Sequence, residues 1–149
     1  EAGGGKIGQV IMGESDTQLA STSASDTLLT ADITPAATSS SILCMVSLWL
    51  GWCNPNGGFK LLRDSTALGP CTFQYGGSGT FSNADDFTVN TLSIFDFNWA
   101  FLDTGISTTS ATTYSVATES FSSLYFNRPS NAATSGAGNS TLILMEVLA

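Results

Sequence analysis

The stretch Ser41-Ile-Leu-Cys-Met-Val-Ser-Leu-Trp-Leu-Gly51 decides the fold. Only Ser41, Ser47 and Gly51 in it are small or polar. It is too short to cross a bilayer as a helix, which takes about 20 apolar residues. Nothing in it caps a helix, and Gly-rich, turn-forming sequence follows at once. A run of this length between turn signals reads as a strand. One face takes Ile42, Cys44, Val46, Leu48 and Leu50, and the other takes Leu43, Met45 and Trp49. A half-exposed strand shows polar residues on one face, and this one does not. Either it lies inside a sandwich, or another subunit covers its second face.

The rest of the chain reads as strands around it. The 149 residues are 42% hydrophobic and only 11% charged, against roughly 25% charged in an average protein. The uncharged polar part is mostly Ser, Thr, Asn and Gly. Glu1–Gly5 is a flexible leader, and 6–149 is one domain. Lys6–Met12 is a strand with Ile7 and either Val10 or Ile11 inward. Gly13–Ser25 is a long loop or edge segment. Asp26–Thr34 is a strand that Pro35 stops. Phe59–Asp64 is the expected hairpin partner of the central strand, and Cys71–Tyr75 a further short strand. Phe87–Leu102 alternates, with Phe95, Phe97, Trp99 and Phe101 on one side. Thr112–Thr118, Ser122–Asn127 and Ser140–Leu148 complete about eight or nine strands. Such a series argues for an all-β antiparallel sandwich, jelly-roll-like.

Composition excludes several function classes. Lys6, Lys60, Arg63 and Arg128 are scattered, and the formal charge is −8, so neither nucleic acid nor anionic lipid is an expected partner. There is no histidine, which removes Ser-His-Asp and Cys-His catalysis and most transition-metal sites. Cys44 reads as a buried thiol. Cys53 and Cys71 flank turn-rich sequence, and a disulfide between them is open but not favoured. No signal peptide is visible.

The remaining constellations are weaker. Asp85-Asp86 with Asp96 or Asp103 has the chemistry of a calcium site but no loop spacing, so a solvated acidic loop is the better reading. Glu119 and Glu146 are a formal acid–base pair that nothing in the sequence brings together. Gly3–Gly5 precedes a strand and is no phosphate cradle. Trp49 and Trp99 read as core, and Arg63 as a structural ion pair or a donor to loop carbonyls. The candidate partner-contact residues are Ile7 and Val10 near the leader, with Trp52, Tyr75 and Phe81 beside turns. No cofactor and no metal are expected.

Six phrases occur in order: Gly5–Val10, Ile33-Thr-Pro35 with Ser39–Leu43, Leu62–Thr66, Phe101–Thr104, Thr112–Val116 and Ser140–Val147. Together they resemble a group of tailed-phage structural domains found in tail fibres, head fibres and small virion proteins. The resemblance implies a homotrimeric β-sandwich displayed on a virion and assembled in the host cytoplasm, with no catalysis. The chain departs from that group at Ser41, where Lys is usual, and at Asp103-Thr-Gly105, where Asp-Ser-Pro is frequent. Three copies would share a large negative charge and remain soluble. At 149 residues with no shaft, a capsid decoration or cement protein docking on the major capsid protein or another virion protein is expected. The alternative is a fibre-tip adhesin that contacts a host glycan or protein.

Overall fold

The computed structural model describes residues 5–21, 25–53, 57–68, 73–75, 95–119, 124–129 and 138–148. These hold eleven strands and no helix. In order they are β1 (Lys6–Ser15), β2 (Leu19–Ser21), β3 (Thr27–Ile33), β4 (Ser41–Cys53), β5 (Gly57–Arg63), β6 (Thr66–Ala67), β7 (Phe73–Tyr75), β8 (Phe95–Asp103), β9 (Thr112–Glu119), β10 (Leu124–Phe126) and β11 (Ser140–Leu148). They form two antiparallel sheets packed face to face.

The first sheet runs β1-β11-β4, with β8 on the other edge of β4 and with β10 and β2 extending it. The second runs β3-β9-β5, with β6 and β7 on β5. Set aside the short β2, β6 and β10, and count the other eight strands in chain order. The first sheet then reads 1-8-3-6 and the second 2-7-4-5. That is the double Greek key of a jelly roll.

The core lies where the two inner faces meet. Ile42, Cys44, Val46, Leu48 and Leu50 of β4 are all buried, with Leu142 and Leu144 of β11 beside them. Opposite are Leu29, Ala31 and Ile33 of β3, Phe59 and Leu61 of β5, and Tyr114 and Val116 of β9. Phe97, Trp99 and Phe101 of β8 pack onto this core. Phe59 stacks with Trp99 at 6.4 Å between ring centroids and lies tilted against Phe97 at 5.6 Å. The aromatic alternation of β8 thus points inward as its sequence implies at Phe97, Trp99 and Phe101; residues 87–94 of the expected strand lie outside the described residues.

Two expectations need correction, and a third is met by one of its alternatives. Phe59–Asp64 is not the hairpin partner of the central strand. Both edges of β4 are already taken, by β11 over Ser41–Ser47 and by β8 over Ile42–Leu50, and β5 pairs with β9 in the opposite sheet. The segment from Gly13, expected as a long loop or edge segment, is the edge alternative in part: it continues β1 to Ser15 and contains the edge strand β2, which pairs with β10. Ile7 does not point inward but is 54% exposed, because a β-bulge between Ile7 and Val10 shifts the register of β1.

Two polar clusters close the sandwich. Arg63 donates from Nη1 to both carboxylate oxygens of buried Asp103, at 2.9 and 2.7 Å. Tyr114 Oη and the Gly105 N–H donate to the same carboxylate at 2.7 and 2.9 Å. Burial and that bond to Asp103 raise the Tyr114 phenol well above its ordinary value. Elsewhere, fully buried Asn127 sits at φ 54°. Its Nδ2 donates to the Ser15 carbonyl oxygen at 2.6 Å, and its Oδ1 accepts from Ser140 Oγ at 2.6 Å. Its N–H donates to the Trp49 carbonyl oxygen at 2.8 Å, so one side chain and its backbone join β1, β4 and β11.

Candidate assembly surface

The outer faces of the two sheets differ. On the second sheet the outward positions of β3 and β9 include Thr30, Asp32, Thr113 and Ser115, and Thr113 Oγ1 donates to Asp32 Oδ1 at 2.6 Å. Polar side chains occupy these positions, with Ser115 and Ala117 buried and Leu62 half-buried on the same side. On the first sheet the outward residues are largely apolar. All five exposed large hydrophobic side chains among the described residues lie there: Ile7 54%, Val10 54%, Met12 55%, Met45 40% and Leu102 48%.

Register arranges this face in levels across four strands. One level is Val10–Met145–Leu43–Leu102 and the next is Met12–Ile143–Met45–Ala100, each running β1–β11–β4–β8. Both levels are wholly apolar. Below them lie Ile7, Val147 and Ser41; above them Glu14–Thr141–Ser47–Asn98 form a wholly polar level. Strands about 4.8 Å apart and levels about 6.8 Å apart make the apolar band on the order of 400 Å². The largest apolar patch of a typical monomer covers about 300–600 Å² and is often functional. Covering five half-exposed side chains of this kind contributes on the order of 5 kcal/mol per protomer. All three methionines of the chain, Met12, Met45 and Met145, belong to the band. Unbranched thioethers adapt their shape to a partner, which is why contact surfaces favour them.

A β-bulge puts Ile7 on this face together with Val10. Ile7 pairs with Val147 and Val10 with Met145, so Gly8 and Gln9 together oppose Glu146. The extra residue reverses the alternation, and positions of opposite parity come to share a side. Glu146 holds the bulge. Its carboxylate is 1% exposed and accepts from Gln9 Nε2 at 2.8 Å, Ser40 Oγ at 2.7 Å and the Ala36 N–H at 2.6 Å. Burial alone would raise its pKa, but these donors outweigh that cost and hold it below the usual carboxylate value. A Cβ on Gly8 would fall 2.7 Å from Glu146 Oε2, so the bulge needs a glycine there.

A shallow groove of about 430 Å³ runs along the band between β8, β4 and β11, lined by Met45, Ser47, Asn98, Ala100, Thr141 and Ile143. Trp49 stands on the same face above it and is half-buried, not core as expected. A Cβ on Gly138 would lie 2.0 Å from its ring, so the backbone of Gly138 covers the indole. Trp99, by contrast, faces inward.

Of the sequence candidates, Ile7 and Val10 come together on this surface. Trp52 lies in β4 and Tyr75 in β7, strands of different sheets, while Phe81 lies outside the described residues. The sequence reading missed Met12, Leu102, Ala100, Ile143 and Met145. The alternation of β11 carried a signal for two of them, because Thr141, Ile143, Met145 and Val147 are no more polar than the inner face. Arg63 forms its ion pair with Asp103, which takes that carboxylate away from a calcium site; Asp85 and Asp86 lie outside the described residues, and Asp96 is exposed on the outer face. Glu119 is in β9 of the other sheet from Glu146. Cys44 is a buried thiol. The Cys53–Cys71 pairing falls outside the described residues, since Cys71 is not among them.

No protein-family model matches the chain, and no curated protein matches it significantly.

Proposed function

We propose that this chain is a non-enzymatic structural protein of a phage virion, a capsid decoration or cement protein that works as a homotrimer on the particle surface. One observation carries the reading: every exposed large hydrophobic side chain among the described residues sits on one face of one sheet. A surface of that kind is built to be covered by protein. The six phrases that resemble phage structural domains support the same reading, as does the jelly roll, a fold that viral capsids and lectins use. Fold alone does not assign function; the apolar face does more to single out an assembly role. The absence of histidine and the committed Glu146 carboxylate leave little for catalysis to use. The docking partner is the major capsid protein or another virion protein.

The groove favours a second reading. Neutral hydrogen-bonding side chains at Ser47, Asn98 and Thr141 line it and could hold a sugar, as a fibre-tip adhesin would require. The two readings make opposite claims on this face, since a covered band leaves the groove closed. Copy number per purified virion, measured by quantitative mass spectrometry against the major capsid protein, separates them. A simple fraction of the capsid protein count is the expected result for a cement protein. A few copies to a few tens would give the adhesin reading the lead, and complete absence from particles would sink both.

A further inference from the structure

We infer that the apolar band is covered by two further copies of this chain around a threefold axis running along the strands, with the β1 edge of each protomer lying against the β8 edge of the next. The inference rests on the homotrimer proposed above and assigns its interface.

The two edges match level by level. An axis parallel to the strands keeps every level at its own height, so each residue of β1 meets the β8 residue that shares its cross-strand level. Val10 then meets Leu102, two branched apolar side chains. Met12 meets Ala100, the longest side chain of the band against the smallest. Glu14 meets Asn98, a carboxylate against an amide donor. A twofold contact of β1 with β1 would run the levels in opposite directions and, centred on the apolar band, would set Glu14 against Ile7.

Exposure points the same way. Four of the five exposed large side chains lie on the edge strands β1 and β8, while Leu43, Ile143 and Met145 in the middle are half-buried. Among the described residues neither β1 nor β8 has a hydrogen-bonded neighbour on its outer edge. Open apolar edges are an aggregation hazard unless something covers them. A band on the order of 400 Å² is about half of what one partner buries in a standard interface. Threefold closure adds both edges and the polar level, whereas a face-to-face pair leaves the edges open. The contact is heterologous, and it stops growing only because the ring closes.

The test places cysteines on the two edges. Val10→Cys with Leu102→Cys in one chain should, after oxidation or bridging with a short thiol-specific crosslinker, give covalent trimers on a denaturing gel. The parent chain, with its three native cysteines, is treated alongside. Met12→Cys with Ala100→Cys is a second pair that keeps the test open if the first folds poorly. Covalent dimers from Val10→Cys alone would overturn the inference in favour of a twofold contact. No bridging by either pair, in protein that sediments as a trimer, would overturn this interface and leave the homotrimer standing. A parent chain that sediments as a monomer would overturn both.

Discussion

Glu146→Gln isolates the group that holds the β1 bulge. The substitution keeps size and shape but replaces one carboxylate oxygen with an amide donor. Gln9 cannot adapt, because its Nε2 already donates to the Thr34 carbonyl oxygen at 2.7 Å as well as to Glu146. Turning the new amide the other way sets it against the Ala36 N–H, a fixed donor 2.6 Å away. Either orientation leaves two donors facing each other and turns charge-assisted bonds into neutral ones. The cost is about 2–3 kcal/mol, a loss of about 5–10 °C in Tm for a domain of this size. Urea unfolding at pH 7 measures it, with the midpoint falling and the slope unchanged. The pH dependence gives a second check. The folded carboxyl titrates below its usual value, so its contribution is complete above the unfolded value of about 4.3 and disappears as pH falls through the folded one. The gap between parent and variant should stay constant from about pH 5 to 8 and narrow below about pH 4. A variant as stable as the parent at pH 7, or a gap that persists in acid, would refute the reasoning.

Three further outcomes follow from the same structure. Asn127→Ala should cost about 3–4 kcal/mol, because it strands the Ser15 carbonyl and Ser140 hydroxyl and because Ala tolerates this positive φ less well than Asn; Asn127→Gly should recover about 1 kcal/mol of this in the same denaturation assay. Asp103→Asn should cost about 2–4 kcal/mol, since Arg63 loses its counter-charge while Tyr114 and Gly105 still donate into the site; a change below about 0.5 kcal/mol would mean that the cluster is incidental. Val10→Asp lies on an exposed strand face, so the protomer should stay within about 0.5 kcal/mol of the parent and keep its far-ultraviolet spectrum, while its sedimentation coefficient drops to that of a single 15.4 kDa chain.

Much of this fold is legible in the sequence because burial follows a period of two. The inner face of β4 and the inward aromatics of β8 read directly from alternation, and β11 runs from Ser140 to Leu148 as expected. The same alternation showed that β4 has no polar face, which is half of the assembly surface. The other half was hidden by chemistry that alternation does not encode. The bulge at Gly8–Gln9 depends on a carboxylate 137 positions away in sequence, and without it Ile7 and Val10 fall on opposite sides. The sheet to which β5 belongs depends on which edges of β4 are already occupied, and hairpin proximity misleads there. The apolar levels exist only once β1, β11, β4 and β8 are aligned, because each strand contributes just two residues to them.

The central claim is that the outer face of the first sheet is covered when the protein is at work, and its own methionines report on that. Peroxide oxidises Met12, Met45 and Met145 according to access, and mass spectrometry reads each site. In the assembled protein all three should oxidise slowly, and in the Val10→Asp protomer Met12 and Met45 should oxidise fast. Rapid oxidation of Met12 and Met45 in the assembled parent protein would show the band open to solvent and contradict the account.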